Sequence, residues 1–225
     1  MRALILAAGR GSRLRPLTET VPKPMVSLRG VPLLEYTLSI LPSQVDQIVI
    51  VVGWLSHKIQ NYFGAGNAQR RIEYVFQSEP RGTFHALKQA EDILGKDDFL
   101  VVSGDDVYCA KDLARVASSS NLSLLVNKTN QPERFGICKV NERGLLLSIV
   151  EKPKVFCGDL ANIGVYKLDH SIFKEPVITG LNGEEVLAPM IGALSSRRKI
   201  EVVRASFWHP IADIEDWQRA QKIVI

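Results

Sequence analysis

At 225 residues the chain is long enough for one sizeable core or two small ones, and 46% hydrophobic with 23% charged residues asks for neither disorder nor a membrane. A net charge of +4 suits an anionic substrate, but it suits a mildly basic surface without a partner equally well. The basic clusters Gln69-Arg70-Arg71 and Arg197-Arg198-Lys199 lack interleaved aromatics, which argues against a nucleic-acid platform.

The apolar stretch that follows Met1 is too short for a signal peptide, and a cytoplasmic location is expected. Leu4, Ile5 and Leu6 suit a first strand buried on both faces, over residues 2–7. It runs into Gly9-Arg10-Gly11, whose glycines allow positive φ and close backbone approach, so the loop amides can point at an anion. Arg13 adds a bidentate phosphate donor, and Lys23 a point charge between Pro22 and Pro24. Two other glycine loops are excluded. A dinucleotide fingerprint wants a third glycine where Leu14 stands, and a Walker A loop wants Gly-Lys-Ser/Thr where Gly11-Ser12-Arg13 stands.

Further along, strands are predicted near 47–52, 71–77 and 98–103, alternating with helices near 31–41, 54–63, 82–95 and 110–118. This alternation predicts an open, mostly parallel α/β sheet. In the second half, strands at 122–126, 136–140, 145–150 and 161–168 are joined by short turns such as Asn141 to Gly144, and antiparallel additions are expected there. Helices at 184–195 and 213–223, with a strand near 199–204, complete the pattern. No linker or repeat appears, so residues 1–225 are expected to form one domain. Cys109, Cys138 and Cys157 show no ligand spacing and are expected to be buried free thiols.

In an open α/β sheet the ligand lies beyond the carboxyl ends of the strands. The first strand ends in Ala8-Gly9-Arg10-Gly11, the third in Gln77 followed by Arg81-Gly82-Thr83, and the fourth in Ser103-Gly104-Asp105-Asp106. With Gly9 to Thr18, Pro22-Lys23-Pro24, Gln77 with Gly82 to Ala86, Gly104-Asp105, Glu151-Lys152-Pro153 and Asn162-Ile163-Gly164 in order, the chain resembles the sugar-1-phosphate nucleotidylyltransferases over nearly its whole length. The resemblance implies a three-layer Rossmann-like fold, a mixed, mostly parallel sheet with helices on both faces. It also implies that a sugar 1-phosphate attacks the α-phosphorus of a nucleoside triphosphate, UTP or dTTP being favoured, and releases pyrophosphate. Such chemistry needs positioning, cations and Mg²⁺ rather than a nucleophilic side chain.

Residue by residue, the resemblance assigns Arg13 and the Gly9 to Gly11 amides to the β- and γ-phosphates and Lys23 to the α-phosphate. Leu6, Ala7, Ala8, Gln77, Gly82, Thr83 and Ser103 complete the nucleotide wall, with the donor and acceptor of Gln77 matching the N3–H and O4 edge of uracil or thymine. Asp105 is the expected Mg²⁺ ligand, and Asp106 a cap or a residue behind it. Lys152 is assigned to the sugar phosphate, and Glu151, Asn162 and Gly136 to the ring hydroxyls. His85 is expected to pack or cap. The arrangement departs from the family at its end, where relatives carry a second metal ligand. Anchoring on Trp208 puts Pro210 there, anchoring on the helix puts Ala212 there, and the nearby Asp213 is expected to reach the metal, its rival role being a helix N-cap.

That departure keeps a second reading open, a regulatory homologue that binds the same ligands without turnover. A glycosyltransferase would want an Asp-x-Asp metal motif, which Asp105-Asp106 does not provide. The chain stops soon after the last predicted helix, so neither a hexapeptide-repeat extension nor a second activity is expected. A monomer or small homo-oligomer without a membrane partner is expected.

Overall fold

The computed structural model describes residues 1–180 and 183–223. Its nine-stranded sheet is mixed, with a parallel centre. Strand Arg2–Ala7 lies between Gln47–Val52 and Phe99–Ser103, and Arg71–Phe76 pairs outside Gln47–Val52, all in parallel. The run Leu160–Leu168 joins antiparallel to Phe99–Ser103 and carries Gly136–Val140 and Leu122–Lys128 on its far side. Leu146–Glu151 then pairs with Gly136–Val140, and Ile200–Arg204 with Leu122–Lys128. The antiparallel additions therefore lie where the second half of the sequence places them.

The first strand shows why the sheet is covered on both faces. Leu4 packs with Phe84, Leu87, Leu94 and the Leu187–Leu194 helix. Ala3, Ile5 and Ala7 point to the other face, onto Leu34, Ile59, Leu113 and Val116 from the helices Leu33–Ser39, Ser56–Phe63 and Ala110–Ala117. Two buried layers explain a run without polar alternation. A third cluster, of Leu14, Val26, Leu28, Leu33, Val107, Ile211 and Ala220, anchors the opening loop against the C-terminal segment.

Three expectations change. The helical pattern of 82–95 divides into Thr83–Lys88 and Glu91–Leu94, the second opening on the acidic pair Glu91 and Asp92 that suits a helix start. Short ribbons that the sequence gives no sign of join Ser27–Leu28 to Val31–Pro32 and Val107–Tyr108 to Trp208–His209. Of the cysteines only Cys138 is buried, and burial pushes its thiol up to about 12; Cys109 and Cys157 are half-buried, because they stand in connections outside the strands.

Candidate active site

The opening loop is held in shape by its own backbone and by Lys23. Gly11 adopts φ 64°, and Thr18 Oγ1 and Leu14 N both donate to its carbonyl, at 2.8 and 2.9 Å. A Cβ on Gly11 would stand 2.8 Å from Cβ of Lys23, so glycine is required both by conformation and by contact. The turn Ser12–Leu14 buries Leu14 completely and leaves Arg13 exposed, with no ion pair among the described residues. Lys23, flanked by buried Pro22 and Pro24, turns inward, and its Nζ donates to Asp105 Oδ2 at 2.6 Å. Asp105 follows strand Phe99–Ser103, which runs parallel to Arg2–Ala7 with Ser103 beside Leu6. The parallel pairing thus brings two residues 82 apart in sequence into one charged contact.

Asp106 has a different role from its neighbour. Its Oδ2 accepts from Trp208 Nε1 at 3.1 Å and its Oδ1 from the Ile211 amide at 2.9 Å. Desolvation, and then the Asp105 carboxylate, raise its pKa to about 6, against the pull of Lys23 and these two donors. The residue ties the C-terminal ribbon to the strand end that carries Asp105, in keeping with the supporting role expected of it.

Asp213, expected to reach the metal, has both carboxylate oxygens held by other donors. Its Oδ1 accepts from the Asp216 amide at 2.9 Å, capping the helix Ile214–Ala220, and its Oδ2 accepts from Arg134 Nη2 at 3.0 Å. Both oxygens are engaged by fixed donors, as the rival N-cap reading requires. Among the described residues no group of three or more His, Cys, Asp or Glu side chains could hold a metal ion. A single carboxylate at Asp105 fits Mg²⁺, which is commonly held by one or two carboxylates together with substrate phosphates and waters.

Gly136, Glu151 and Asn162 meet, with Leu6, Thr83, Ser103 and Asp106, around a cleft of about 210 Å³. Burial raises the Glu151 pKa, against the Lys152 ammonium 3.7 Å away. Lys152 is exposed, outside the residues lining the cleft, in a backbone with φ 43°. Phe135, Tyr166, Trp208 and Val186 to Ala188 also line the cleft, and the sequence reading assigned none of them. Phe135 meets Trp208 edge-on at 5.1 Å. Apolar residues in separate elements give no sequence pattern that marks a shared wall.

Ala8 and Gln77, expected in the nucleotide wall, line a second cleft of about 190 Å³ together with Arg10, Trp54, Phe76 and Pro80. The Arg10 guanidinium lies over the Trp54 ring, 5.4 Å from its centroid. Gln77 is buried, and its Nε2 donates to the Gly82 carbonyl at 3.1 Å and lies 2.9 Å from His85 Nδ1. The donor half of the amide, matched above to a base carbonyl, is therefore taken up within the protein. Gly82 itself adopts φ 106°, and a Cβ there would meet the Glu185 carbonyl at 2.4 Å. Backbone bonds Phe84 N to Glu185 O, at 2.8 Å, and Glu185 N to Arg81 O, at 2.7 Å, clamp this turn to the segment entering the Leu187–Leu194 helix.

A family profile described as nucleotidyl transferase matches residues 2–217. Among curated proteins, the bifunctional protein GlmU of Methanococcus maripaludis is 34% identical over 216 residues, which cover 94% of this chain and 51% of that protein. A mannose-1-phosphate guanyltransferase of Aspergillus fumigatus is 33% identical, covering 96% and 62%. A glucose-1-phosphate thymidylyltransferase of Streptomyces griseus is 29% identical, covering 100% and 66%. The chain spans about half the length of the GlmU relatives it matches. In fold it is similar to a UDP-glucose pyrophosphorylase solved with UDP-glucose, with a TM-score of 0.88 and 22% identity over 98% of this chain and 96% of that one.

Proposed function

The chain belongs to the nucleotidyl transferase family, and on that premise we propose that it transfers a nucleotidyl group from a nucleoside triphosphate to a sugar 1-phosphate. The observation that carries this reading is the Lys23–Asp105 contact at 2.6 Å, in which a lysine next to the glycine loop meets a carboxylate of the type that hard cations take. A phosphate oxygen of the sugar 1-phosphate attacks the α-phosphorus, the bond from that phosphorus to the β-phosphate oxygen breaks, and pyrophosphate leaves. The protein's part is to align these groups and neutralise their charge.

Arg13 and the Gly9 to Gly11 amides hold the departing phosphates, with Lys23 at the α-phosphate. Leu6, Ala7, Ala8, Gln77, Gly82, Thr83 and Ser103 form the nucleotide wall. Glu151 and Asn162 take the ring hydroxyls beside the Gly136 backbone, and Lys152 meets the sugar phosphate. Asp105 would hold Mg²⁺, which supplies charge neutralisation at the phosphates when bound. The names of the relatives range over thymidylyl and guanylyl transfer, so which triphosphate is used is for experiment.

A second reading, a ligand-binding regulator without turnover, is favoured by Pro210 at the place of the second metal ligand and by the engagement of Asp213 as a cap. Pyrophosphate release separates the two. Triphosphates and sugar 1-phosphates, tested as a grid with and without Mg²⁺, are expected to yield one pair that releases pyrophosphate only with metal. Binding of both ligands with no release from any pair would leave the regulator.

A further inference from the structure

We propose that His85 is a positioning residue that decides which edge of a nucleobase Gln77 can read. This rests on the nucleotidyl-transfer reading, but it concerns a residue that reading leaves aside. The Gln77 amide has two N–H donors and one carbonyl acceptor. Its Nε2 lies 3.1 Å from the Gly82 carbonyl, which fixes the orientation of the amide, since the reverse would set two oxygens against each other. The second N–H faces His85 Nδ1 at 2.9 Å, which must then be the acceptor. The ring therefore carries its proton on Nε2, which lies 3.3 Å from Gln89 Nε2, and the exposed Gln89 amide accepts it once flipped to present Oε1.

With both donors engaged, Gln77 offers a base only Oε1. Among the described residues this oxygen has no hydrogen-bond partner, and it is not among the side-chain atoms sealed from solvent without one. Gln77 lines the cleft of Ala8, Trp54 and Phe76, where a planar ligand can lie. Set against the ring nitrogen, a fixed acceptor bonds an N–H there and opposes a lone pair, and the amino groups of cytosine and adenine reach it only if the base shifts along its edge. The class of base selected is thus one with a protonated ring nitrogen, uracil, thymine or guanine, over cytosine or adenine. Without His85 the Gly82 bond alone holds the amide, so the turned orientation that presents Nε2 to the excluded bases becomes more populated. A site built around a specific donor or acceptor rejects the unmatched partner strongly, so small changes in orientation reach the specificity ratio.

The test compares kcat/KM for UTP against CTP, and for GTP against ATP, in the wild type, His85→Leu and His85→Asn. Wild type is expected to favour UTP over CTP, or GTP over ATP, by at least about a hundredfold. His85→Leu is expected to lower that ratio at least about tenfold. His85→Asn, whose Oδ1 replaces Nδ1 as acceptor, is expected to keep it within about threefold. Should leucine unfold the protein, His85→Ala reads the same ratio. A His85→Leu variant that loses activity equally on all four triphosphates would overturn the proposal, as would an asparagine variant that behaves like leucine. If no pair releases pyrophosphate, the transfer reading fails, and the ratio of calorimetric Kd values for the same nucleotides still judges His85. Failure of all four to bind would reject both.

Discussion

The tasks proposed for the charges at the loop and the rim are separable by single substitutions. Arg13 is exposed without an ion pair among the described residues, so Arg13→Ala should leave Tm within a degree or two while kcat/KM for the triphosphate falls by about 10²–10³, the scale of a lost charge clamp. A large loss of Tm with unchanged kcat/KM would make it a structural residue. For Asp213 the cap predicts the opposite pattern. Asparagine caps about as well as aspartate but gives up the Arg134 ion pair, so Asp213→Asn should keep Mg²⁺ dependence and lose at most about 1 kcal/mol of stability, whereas Asp213→Ala should lose the cap as well, about 1 kcal/mol more in chemical denaturation. Glu151 gives a pH test. Burial raises its folded pKa above the ordinary 4.5, so the folded state holds that proton more tightly and its ionisation opposes folding as pH rises through this window. Glu151→Gln should therefore be at least as stable as wild type at pH 7.5, with the gap closing as the pH is lowered below 4.5, and should bind sugar 1-phosphate more weakly. Scanning calorimetry across pH reads the first effect and a titration the second. The glycine loop and its proline-flanked Lys23 were legible in the sequence because glycines and prolines mark such a turn locally. The bonds of Asp213 were not, since Arg134 stands 79 residues away.

At the scale of elements, two short connections hold the site's walls together. The ribbon of Val107–Tyr108 with Trp208–His209 fastens the C-terminal segment to the end of strand Phe99–Ser103, and Asp106 bonds across it. Replacing Asp106 by alanine leaves the Trp208 and Ile211 donors without their carboxylate, which should cost about 1–3 kcal/mol in denaturant unfolding. The second connection is the Gly82 turn, held to Glu185 just ahead of Val186 to Ala188, which line the cleft of Gly136, Glu151 and Asn162. Gly82→Ala combines positive φ with a contact of 2.4 Å to a backbone carbonyl, so weakened binding at both clefts is expected. Strands of β-branched residues could be bounded from sequence almost to the residue, because burial on both faces leaves an unbroken apolar run. Two-residue ribbons could not, because a pair so short has no periodicity to read.

The whole molecule carries the glycine loop, the cleft of Ala8 and Gln77 and the cleft of Gly136, Glu151 and Asn162 on a sheet whose two faces are buried under helices. Since no cage of ligands gathers among the described residues, chelation by EDTA should abolish pyrophosphate release and leave Tm unchanged. A drop in Tm on chelation would reveal a structural metal. The sequence by itself determined the α/β alternation, the order of the strands' polar ends and the glycine-built, basic make-up of the opening loop, because periodicity and glycine conformation are local properties. Only the tertiary structure decided that Lys23 pairs with Asp105, that Asp106 supports the C-terminal ribbon, that Asp213 caps a helix, and that His85 and Gly82 engage the donors of Gln77. Each of these rests on groups brought within hydrogen-bond distance by strand register and helix docking, and a hydrogen bond is decided by ångströms that the sequence does not contain.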